Sequence, residues 1–390
     1  MRNFLKRSVL TIAFTCFLIF LVVFSKNNLT ATKNGLILWT NSIIPSIFPF
    51  LIATELLNYT NIAKLLGKLL KNVMKPLFNI PGEGAYALIM GLISGYPVGA
   101  KIALDLYENN ICTKSEAERM LSFTNNSGPL FIIGTVGILL FGNSLVGILL
   151  LLTHILSCTT IGIIMGICSR FTGGKVAKSS KERNSQLIQR CVTTGYSETM
   201  PDLGTILNSS IRKSISTILQ IGGFIVLFSV IISILNNLNI IDYISLFMEN
   251  FFVPKDFTKC LISGILELTN GINLSANLQV KNISINIILC AFLLGFGSIS
   301  VLLQVLSIVS SAHLSIKKYT IGKLFQGLFA ALYTALFIEF VPIFKLDIPS
   351  TEYDPNTNLI TISLIILSFI VALGILLLKS NHKMNIFKYN

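Results

Sequence analysis

A single carboxylate, Glu267, stands inside an apolar run at about residues 260–275, within the stretch LELTNG (266–271). A carboxylate in a membrane segment is costly unless it is paired, neutralised or hydrated, so it marks a functional site by default. Two interpretations stay open: Glu267 binds a solute or a coupling proton, or it accepts hydrogen bonds from backbone amides of an opposite hairpin. Lys101 is the predicted counter-charge of Glu267, or else a lysine that extends to the cytoplasmic surface.

Neutral polar side chains interrupt other apolar runs. The residues predicted to contact a solute are Asn125, Asn126 and Ser127 in FTNNSGP (123–129), Thr269 and Asn270 beside the carboxylate, and Gln304 in a later run. Amides supply paired donors and acceptors, which suit bases, sugars and other polyols. The alternative is that the short polar segments only cap broken helix ends, and that Gln304 bridges two helices.

The stretch LISGYPVGAKI (92–102) breaks an apolar run at Gly95, Pro97 and Gly99. Proline lacks a backbone donor and disfavours helix at the residue before it, so the helix should break at Tyr96. Broken backbone at membrane depth must be buried in protein or line a cavity. The tip residues Ser94, Gly95, Tyr96, Pro97 and Gly99 are therefore predicted to line a solute cavity, or to form a structural kink. The glycine spacing excludes a phosphate loop.

Composition places these segments in a membrane. Of 390 residues, 53% are hydrophobic and 12% are charged, and the mean hydropathy is +0.75, whereas soluble domains have roughly 25% charged residues. The net charge of +13 comes from Lys and Arg between apolar runs, which is typical of membrane topology and argues against nucleic acid binding. The scattered cysteines and histidines indicate no metal or cofactor, and no nucleophile with its base indicates an enzyme.

Apolar runs predict an all-α polytopic membrane protein with about eight transmembrane helices and two re-entrant hairpins. The runs lie at about 8–24, 35–57, 85–104, 120–142, 145–168, 215–236, 260–275, 285–311, 324–344 and 359–379. The polar loop 169–214 carries eight basic residues, and it is cytoplasmic only if 85–104 re-enters. Both termini, and Lys317, Lys318 and Lys323, then fall on the cytoplasmic side of the cell membrane. Amphipathic helices are predicted on the membrane surface at 60–78 and on the outer side at 239–252.

The features occur twice in the same order. A shift of 173 residues lays 80–99 over 253–272, and a shift of 169 lays 122–136 over 291–305. An odd number of spans separates the copies, which predicts the inverted repeats with discontinuous helices found in many secondary transporters. The predicted regions are an N-terminal anchor and loop (1–34), a first repeat (35–168), a basic cytoplasmic loop (169–214), a second repeat (215–344), and an external loop, last span and cytoplasmic tail (345–390).

Four motifs carry a family resemblance: PSIFPFLIATELL (45–57), GLISGYPVGAKI (91–102), SFTNNSGPLFIIGTVG (122–137) and SGILELTNGI (263–272). They resemble the sporulation integral membrane protein YlbJ family, whose halves are similar to the Gate, or nucleoside-recognition, domain. The resemblance implies a multi-pass protein of the cell membrane in spore-forming bacteria, needed for building the spore cortex. Gate domains also occur in spore maturation proteins and resemble parts of concentrative nucleoside transporters, but the motifs imply no particular substrate.

Two functions follow as hypotheses. The first is a transporter or gated permease that moves a small polar solute, nucleoside-like or a spore precursor, across the lipid bilayer. The alternative is a non-transporting scaffold that assembles with other sporulation membrane proteins or with itself. A transporter needs Glu267 and the amides to converge on a hydrated cavity between residues 94–99 and 266–271, whereas a scaffold should bury them in satisfied pairs.

Overall fold

The computed structural model describes residues 2–60, 62–171, 202–251, 253–278 and 283–344. Within these ranges all regular secondary structure is helical. The predicted all-α class is therefore confirmed for the described part of the chain. The loop residues 172–201 and the predicted last span at 359–379 lie outside it.

Two of the breaks between helices in the first half fall at motifs that the sequence predicted to break. Its elements are α1 (Arg2–Val23), α2 (Ser25–Leu38), a π-helical turn (Trp39–Ile43), α3 (Ile44–Leu57), α4 (Ile62–Val73), a second π-helical turn (Met74–Phe78), α5 (Gly84–Ser94), α6 (Val98–Glu108), α7 (Lys114–Thr124), a π-helix (Leu130–Leu140) and α8 (Ser144–Phe171). Two breaks, at residues 95–97 and 125–129, coincide with GYP and NNSGP. The proline of each stretch stands just before a new helix, where its missing N–H costs nothing.

The second half has its helices in the same order. Its elements are α9 (Leu203–Asn237), α10 (Ile240–Glu249), α11 (Lys255–Leu266), α12 (Leu268–Ala276), α13 (Ile283–Phe296), α14 (Ile299–Val309), α15 (Lys317–Phe340) and a short 3-10 turn (Pro342–Phe344). The helices that flank the crossing break start at residues 114 and 130 in the first half, and at 283 and 299 in the second. Each pair is 169 residues apart, which is the shift that aligns the sequence motifs.

Five helices are long and apolar enough to cross a membrane. They are Ser25–Leu57, Ser144–Phe171, Leu203–Asn237, Ile283–Val309 and Lys317–Phe340. Two of the other predicted spans appear only as shorter apolar helices, Ser8–Val23 and Leu130–Leu140. The described residues thus form a helical, multi-pass membrane protein with five candidate spans.

Two predicted loops are helical instead. Residues 25–34 belong to the continuous helix Ser25–Leu57, and residues 203–214 form the first turns of α9. Polar composition predicted loops there, but packing decides otherwise: Asn28 is buried against the carbonyl of Phe20, and Ser210 and Ser214 are buried on one face of α9. A helix satisfies its backbone groups internally and therefore tolerates polar side chains on one face.

The long helices that begin the two halves, Ser25–Leu57 and α9, pack antiparallel. Asn27 donates to Asn237 near one end, the Trp39 indole donates to the carbonyl of Ile218 at 3.1 Å, and Glu55 approaches Lys213 at 3.9 Å near the other end. Residue numbers rise along one helix as they fall along the other. The two helices therefore run in opposite directions.

The helices that end the two halves, α8 and α15, are also joined along their length. The hydroxyl of Thr334 donates to that of Thr153 at 3.0 Å. Helix α13 packs against both, and its residues from Asn286 to Phe296 are all buried. This helix forms the centre of the core.

The pairs α5–α6 and α11–α12 are helical hairpins. A Cβ on Gly271 would lie 2.0 Å from the Cα of Gly264, although residues seven apart in a continuous helix are separated by roughly 10 Å. A Cβ on Gly91 would similarly lie 3.2 Å from the Cα of Gly99. The chain therefore reverses at both breaks. The hairpin arms have 9 to 12 residues, about half the number that spans a bilayer.

Candidate functional site

The tip of the first hairpin packs directly on the break after α7. A Cβ on Gly99 would lie 2.1 Å from the carbonyl oxygen of Thr124, so only glycine fits at this contact. At the turn, Gly95 has a φ of 84° and its backbone faces that of Gly128. Two polar contacts complete the tip: Tyr96 Oη lies 2.7 Å from Ser127 Oγ, and Ser94 Oγ is bonded to the hydroxyl of Thr54. Pro97 precedes the first residue of α6.

The amides of the α7 break bond to the helices that surround it. Asn125 Nδ2 donates to Tyr319 Oη at 2.8 Å. Asn126 Oδ1 accepts from Gln326 Nε2 at 3.0 Å and from Lys323 Nζ at 3.2 Å. All of these side chains are buried. Asn126 is thus held in a polar network between α7 and α15.

Lys323 is the principal correction to the sequence analysis. It was predicted to precede a span on the cytoplasmic side, but it lies within α15 and only 1% of it is exposed. Its ammonium donates to Gln326 Oε1 at 2.8 Å as well as to Asn126, and no described carboxylate lies within 4 Å of it. The sequence did hold a signal, because Tyr319, Lys323 and Gln326 recur at i, i+4 and i+7 along one helical face.

His154 lies beside the break after α7, at residues 125–129, which is called the first break from here on. Its Nε2 accepts a hydrogen bond from the backbone N–H of Ser127 at 3.2 Å. A neutral imidazole that accepts at Nε2 carries its proton at Nδ1, and this buried Nδ1 has no partner within the described part of the chain. Asn125 Oδ1 is likewise buried without a partner there. Two groups near this break can therefore form further hydrogen bonds.

Glu267 forms the second break, between α11 and α12. Its carboxylate accepts from the backbone N–H of Thr269 at 3.1 Å and of Asn270 at 2.7 Å, so it caps the start of α12. A negative charge is stabilised at a helix N-terminus by these donors and by the helix dipole. Glu267 therefore accepts hydrogen bonds from backbone amides, as the structural interpretation predicts. The amides belong to its own hairpin and not to the opposite one.

Both breaks meet at a small internal cavity. It is lined by the tip residue Tyr96, by Gly128 after the α7 break, by Glu267 and Thr269 of the second hairpin, and by Gln304 of α14. The space open to the centre of a water molecule is about 20 Å³, enough for roughly one water. Gln304 Oε1 is buried and has no partner among the described residues. The cavity thus combines a carboxylate with an unsatisfied amide oxygen.

Other predicted site residues lie away from this cavity. Lys101 and Glu267 do not form a pair, because the Lys101 ammonium donates to the hydroxyl of Thr217 on α9. Asn270 donates to Ser229 Oγ at 2.8 Å on the opposite side of α12. The structure therefore brings Tyr96, Glu267, Thr269 and Gln304 together at the cavity. Lys101 and Asn270 face α9 instead, and the remaining predicted residues lie around the break after α7 or in the first hairpin tip that packs on it.

Two comparisons relate this chain to known proteins, and no solved structure matches it. The Gate family model, described as "Nucleoside recognition", matches residues 41–172. The Sporulation integral membrane protein YlbJ of Bacillus subtilis (strain 168) is 36% identical over 317 residues, which cover 78% of this chain and 76% of that protein. On this similarity, the chain belongs to the sporulation integral membrane protein YlbJ family.

Proposed function

We propose that this protein is a transporter or gated permease for a small polar solute, nucleoside-like or a spore precursor, and that it serves formation of the spore cortex. The observation that carries the proposal is the cavity at which both helix breaks meet. It holds the buried Glu267 and the unpartnered amide oxygen of Gln304. Buried polar groups without partners are costly, so a site that keeps them is suited to a ligand that satisfies them.

The repeated order of helices supports the same function, because it is consistent with the proposed inverted repeat. The helices that flank the crossing breaks start 169 residues apart, and the long helices Ser25–Leu57 and α9 run antiparallel. With eight spans, the two hairpins would enter the membrane from opposite sides and meet near its middle. Transporters with this plan hold the substrate at the ends of discontinuous helices and rock one repeat against the other.

The observed cavity fits a closed state. Room for one water cannot hold a nucleoside or a sugar, so the hairpin tips must separate to admit a solute. Separation would expose the carboxylate of Glu267, the amide of Gln304, and the unpartnered His154 Nδ1 and Asn125 Oδ1. These groups offer both donors and acceptors, as a hydroxyl-rich solute requires.

The first experiment measures the melting temperature of the purified protein against nucleosides, bases, amino sugars, peptidoglycan precursors and dipicolinate. A ligand that binds only the folded state raises its stability. The Glu267→Gln variant keeps a carbonyl oxygen to cap α12 but loses the charge, and Glu249→Gln, at an exposed carboxylate on α10, is the matched control.

We expect one compound class to raise the melting temperature of the wild type and of the control Glu249→Gln. The same compounds should not raise the melting temperature of Glu267→Gln. Uptake of that compound into proteoliposomes should show the same pattern. If no compound shifts the melting temperature and no flux is seen, transport is the wrong proposal.

The scaffold remains a second candidate because some of the predicted solute-binding amides are already bonded within the protein. Asn126 is satisfied by Lys323 and Gln326, and Asn270 bonds to Ser229. A scaffold predicts that Glu267→Gln leaves spore formation intact while substitutions on the outer helix faces disrupt assembly. The reverse result in sporulating cells would exclude it.

A further inference from the structure

A large polar groove lies on the far side of the second hairpin from the internal cavity. Its volume is about 710 Å³, and it is bounded by α2, α9 and α12. Six asparagines line it: Asn27, Asn34, Asn236, Asn237, Asn270 and Asn273. Serine and threonine hydroxyls and a few aliphatic side chains make up the rest, and none of the lining residues is charged.

The polar lining of this groove is a poor match for lipid hydrocarbon. Two of its walls belong to the helices Ser25–Leu57 and Leu203–Asn237, which are apolar enough to span a membrane. Amides placed against hydrocarbon without hydrogen-bond partners are costly, so such a surface must be hydrated or must hold a polar ligand. Within the lining, Asn27 bonds to Asn237 and Asn270 bonds to Ser229.

The short helix α12 separates the groove from the cavity. Glu267, Leu268 and Thr269 at its start line the cavity, whereas Asn270 and Asn273 line the groove. The helix has only nine residues, and the hydrogen bond from Asn270 to Ser229 holds its first turn against α9. A displacement of α12 would therefore join the two spaces.

We propose that the groove binds an uncharged solute rich in hydroxyl or amide groups, of the sugar or nucleoside class, and that α12 is the element it must pass. The inference rests on the proposed function, since it gives that function an entry site and a substrate class. Asparagine amides match hydroxyl and amide groups in pairs. With no charged side chain in the lining, an ionic ligand would lose hydration without compensation. The volume lies within the range of small-molecule sites.

The test is calorimetric binding to the full-length purified protein with matched neutral and charged probes. N-acetylglucosamine is compared with glucosamine, and uridine with uridine monophosphate. We expect at least one neutral probe to bind about tenfold or more tightly than its charged counterpart. Absence of binding by both neutral probes, or equal or tighter binding of the charged ones, would overturn the proposal.

Variants locate the binding. Asn34→Leu and Asn273→Leu, on two different walls of the groove, should each weaken binding of the neutral probe about tenfold, whereas Asn250→Leu, at an exposed position outside the groove, should not. If the melting temperature of either Leu variant falls, Asn34→Ala is measured instead, because Asn34 is exposed and its truncation should not disturb the fold. Unchanged binding of the neutral probe in the groove variants would show that the groove is not the binding site.

Flux separates this inference from the proposed function. If binding depends on Asn34 and Asn273 but no uptake into proteoliposomes is seen, the groove is a binding site and the proposal of transport is wrong. If uptake is lost in Glu267→Gln but normal in both groove variants, the protein is a transporter and the proposal of a binding site in the groove is wrong.

Discussion

The two helical hairpins have the same architecture but opposite packing at their tips. The first packs backbone against backbone, with Gly99 against Thr124 and Gly95 against Gly128. The second ends in a charged side chain, Glu267, and lies between a cavity and an open polar groove. Close backbone contacts at the glycines hold the first tip in place, although Tyr96 still reaches the cavity, whereas the carboxylate at the second tip requires donors around it. The first hairpin therefore suits a fixed frame, and the second suits an element that moves and binds.

The two breaks also differ in charge. The buried ammonium of Lys323 stands beside the first break and is held by amide oxygens, while Glu267 at the second is held by backbone N–H groups. Neither has an ionic partner within 4 Å among the described residues. Unpaired buried charge is expensive for stability, and its retention points to a role in function.

The largest expected effect is on the first hairpin. Gly99→Val places new atoms where a Cβ alone would lie 2.1 Å from the Thr124 carbonyl, and rigid backbone on both sides cannot yield. We expect a loss of about 3 kcal/mol or more in the free energy of unfolding, measured by denaturant titration in detergent. Gly223→Val, in a helix with open space around the same atom, is the control. Similar losses in both variants would show that the first tip is not a rigid contact.

The next effect concerns the cap of the second hairpin. Glu267→Ala removes the acceptor for the N–H groups of Thr269 and Asn270 and should cost about 1–2 kcal/mol. Glu267→Gln retains one acceptor and should cost less. Thr113→Ala, which removes a side-chain cap from α7 in the first half, sets the scale for a purely structural cap. If Glu267→Ala is more stable than wild type, the carboxylate is kept for function at the expense of stability, and the cap is incidental.

Lys323 provides a smaller and more diagnostic effect. Lys323→Met removes a buried ammonium, while Asn126 keeps its bond from Gln326. Loss of the desolvation cost should offset the lost hydrogen bonds, so we expect a change within about 1 kcal/mol and no fall in melting temperature. Uptake of the identified solute should nevertheless fall. A loss of stability larger than that of Glu267→Ala would instead assign Lys323 to the structural frame.

Sequence patterns predicted the helix breaks because their signals are local. Proline and glycine at 95–99 fix a break wherever the segment lies, and glycines 91 and 264 allow close approach of two helical arms. The 169-residue shift was also correct for the starts of the flanking helices. Such features depend on backbone geometry, which residue type reports directly.

Partner choice could not be predicted, because it depends on depth and rotation of helices. Thr269 and Asn270 were both expected at one solute site, yet adjacent helical residues point about 100° apart, so they line different spaces. Lys101 and Glu267 carry opposite charges but meet different neighbours. Lys323 was predicted to lie on the cytoplasmic side ahead of a span, because the positive-inside rule counts charges without regard to the helix face on which they lie.

The smallest expected effect lies on the amphipathic helices that precede the hairpins. Asp242 of α10 forms ion pairs with Lys259 at 2.7 Å and Lys255 at 3.3 Å of α11, and these hydrogen-bonded lysines hold the pKa of Asp242 below its ordinary value. The described side chains form no ion pair between α4 and α5, so only the second hairpin is tied to its surface helix in this way.

Because its folded-state pKa is lowered, Asp242 stabilises the protein fully above its unfolded pKa of about 3.9, and the contribution is lost as pH falls through the folded value. Asp242→Asn should lower the melting temperature slightly at pH 7, less than Glu267→Ala does, and 1 M salt should reduce the difference. The same substitution should have no effect once the pH is below the folded pKa. If Asp242→Asn also increases uptake at pH 7, the ion pairs of Asp242 restrain movement of the second hairpin, which strengthens the contrast between a fixed and a moving hairpin. If the melting temperature is unchanged at every pH, these ion pairs do not hold the second hairpin.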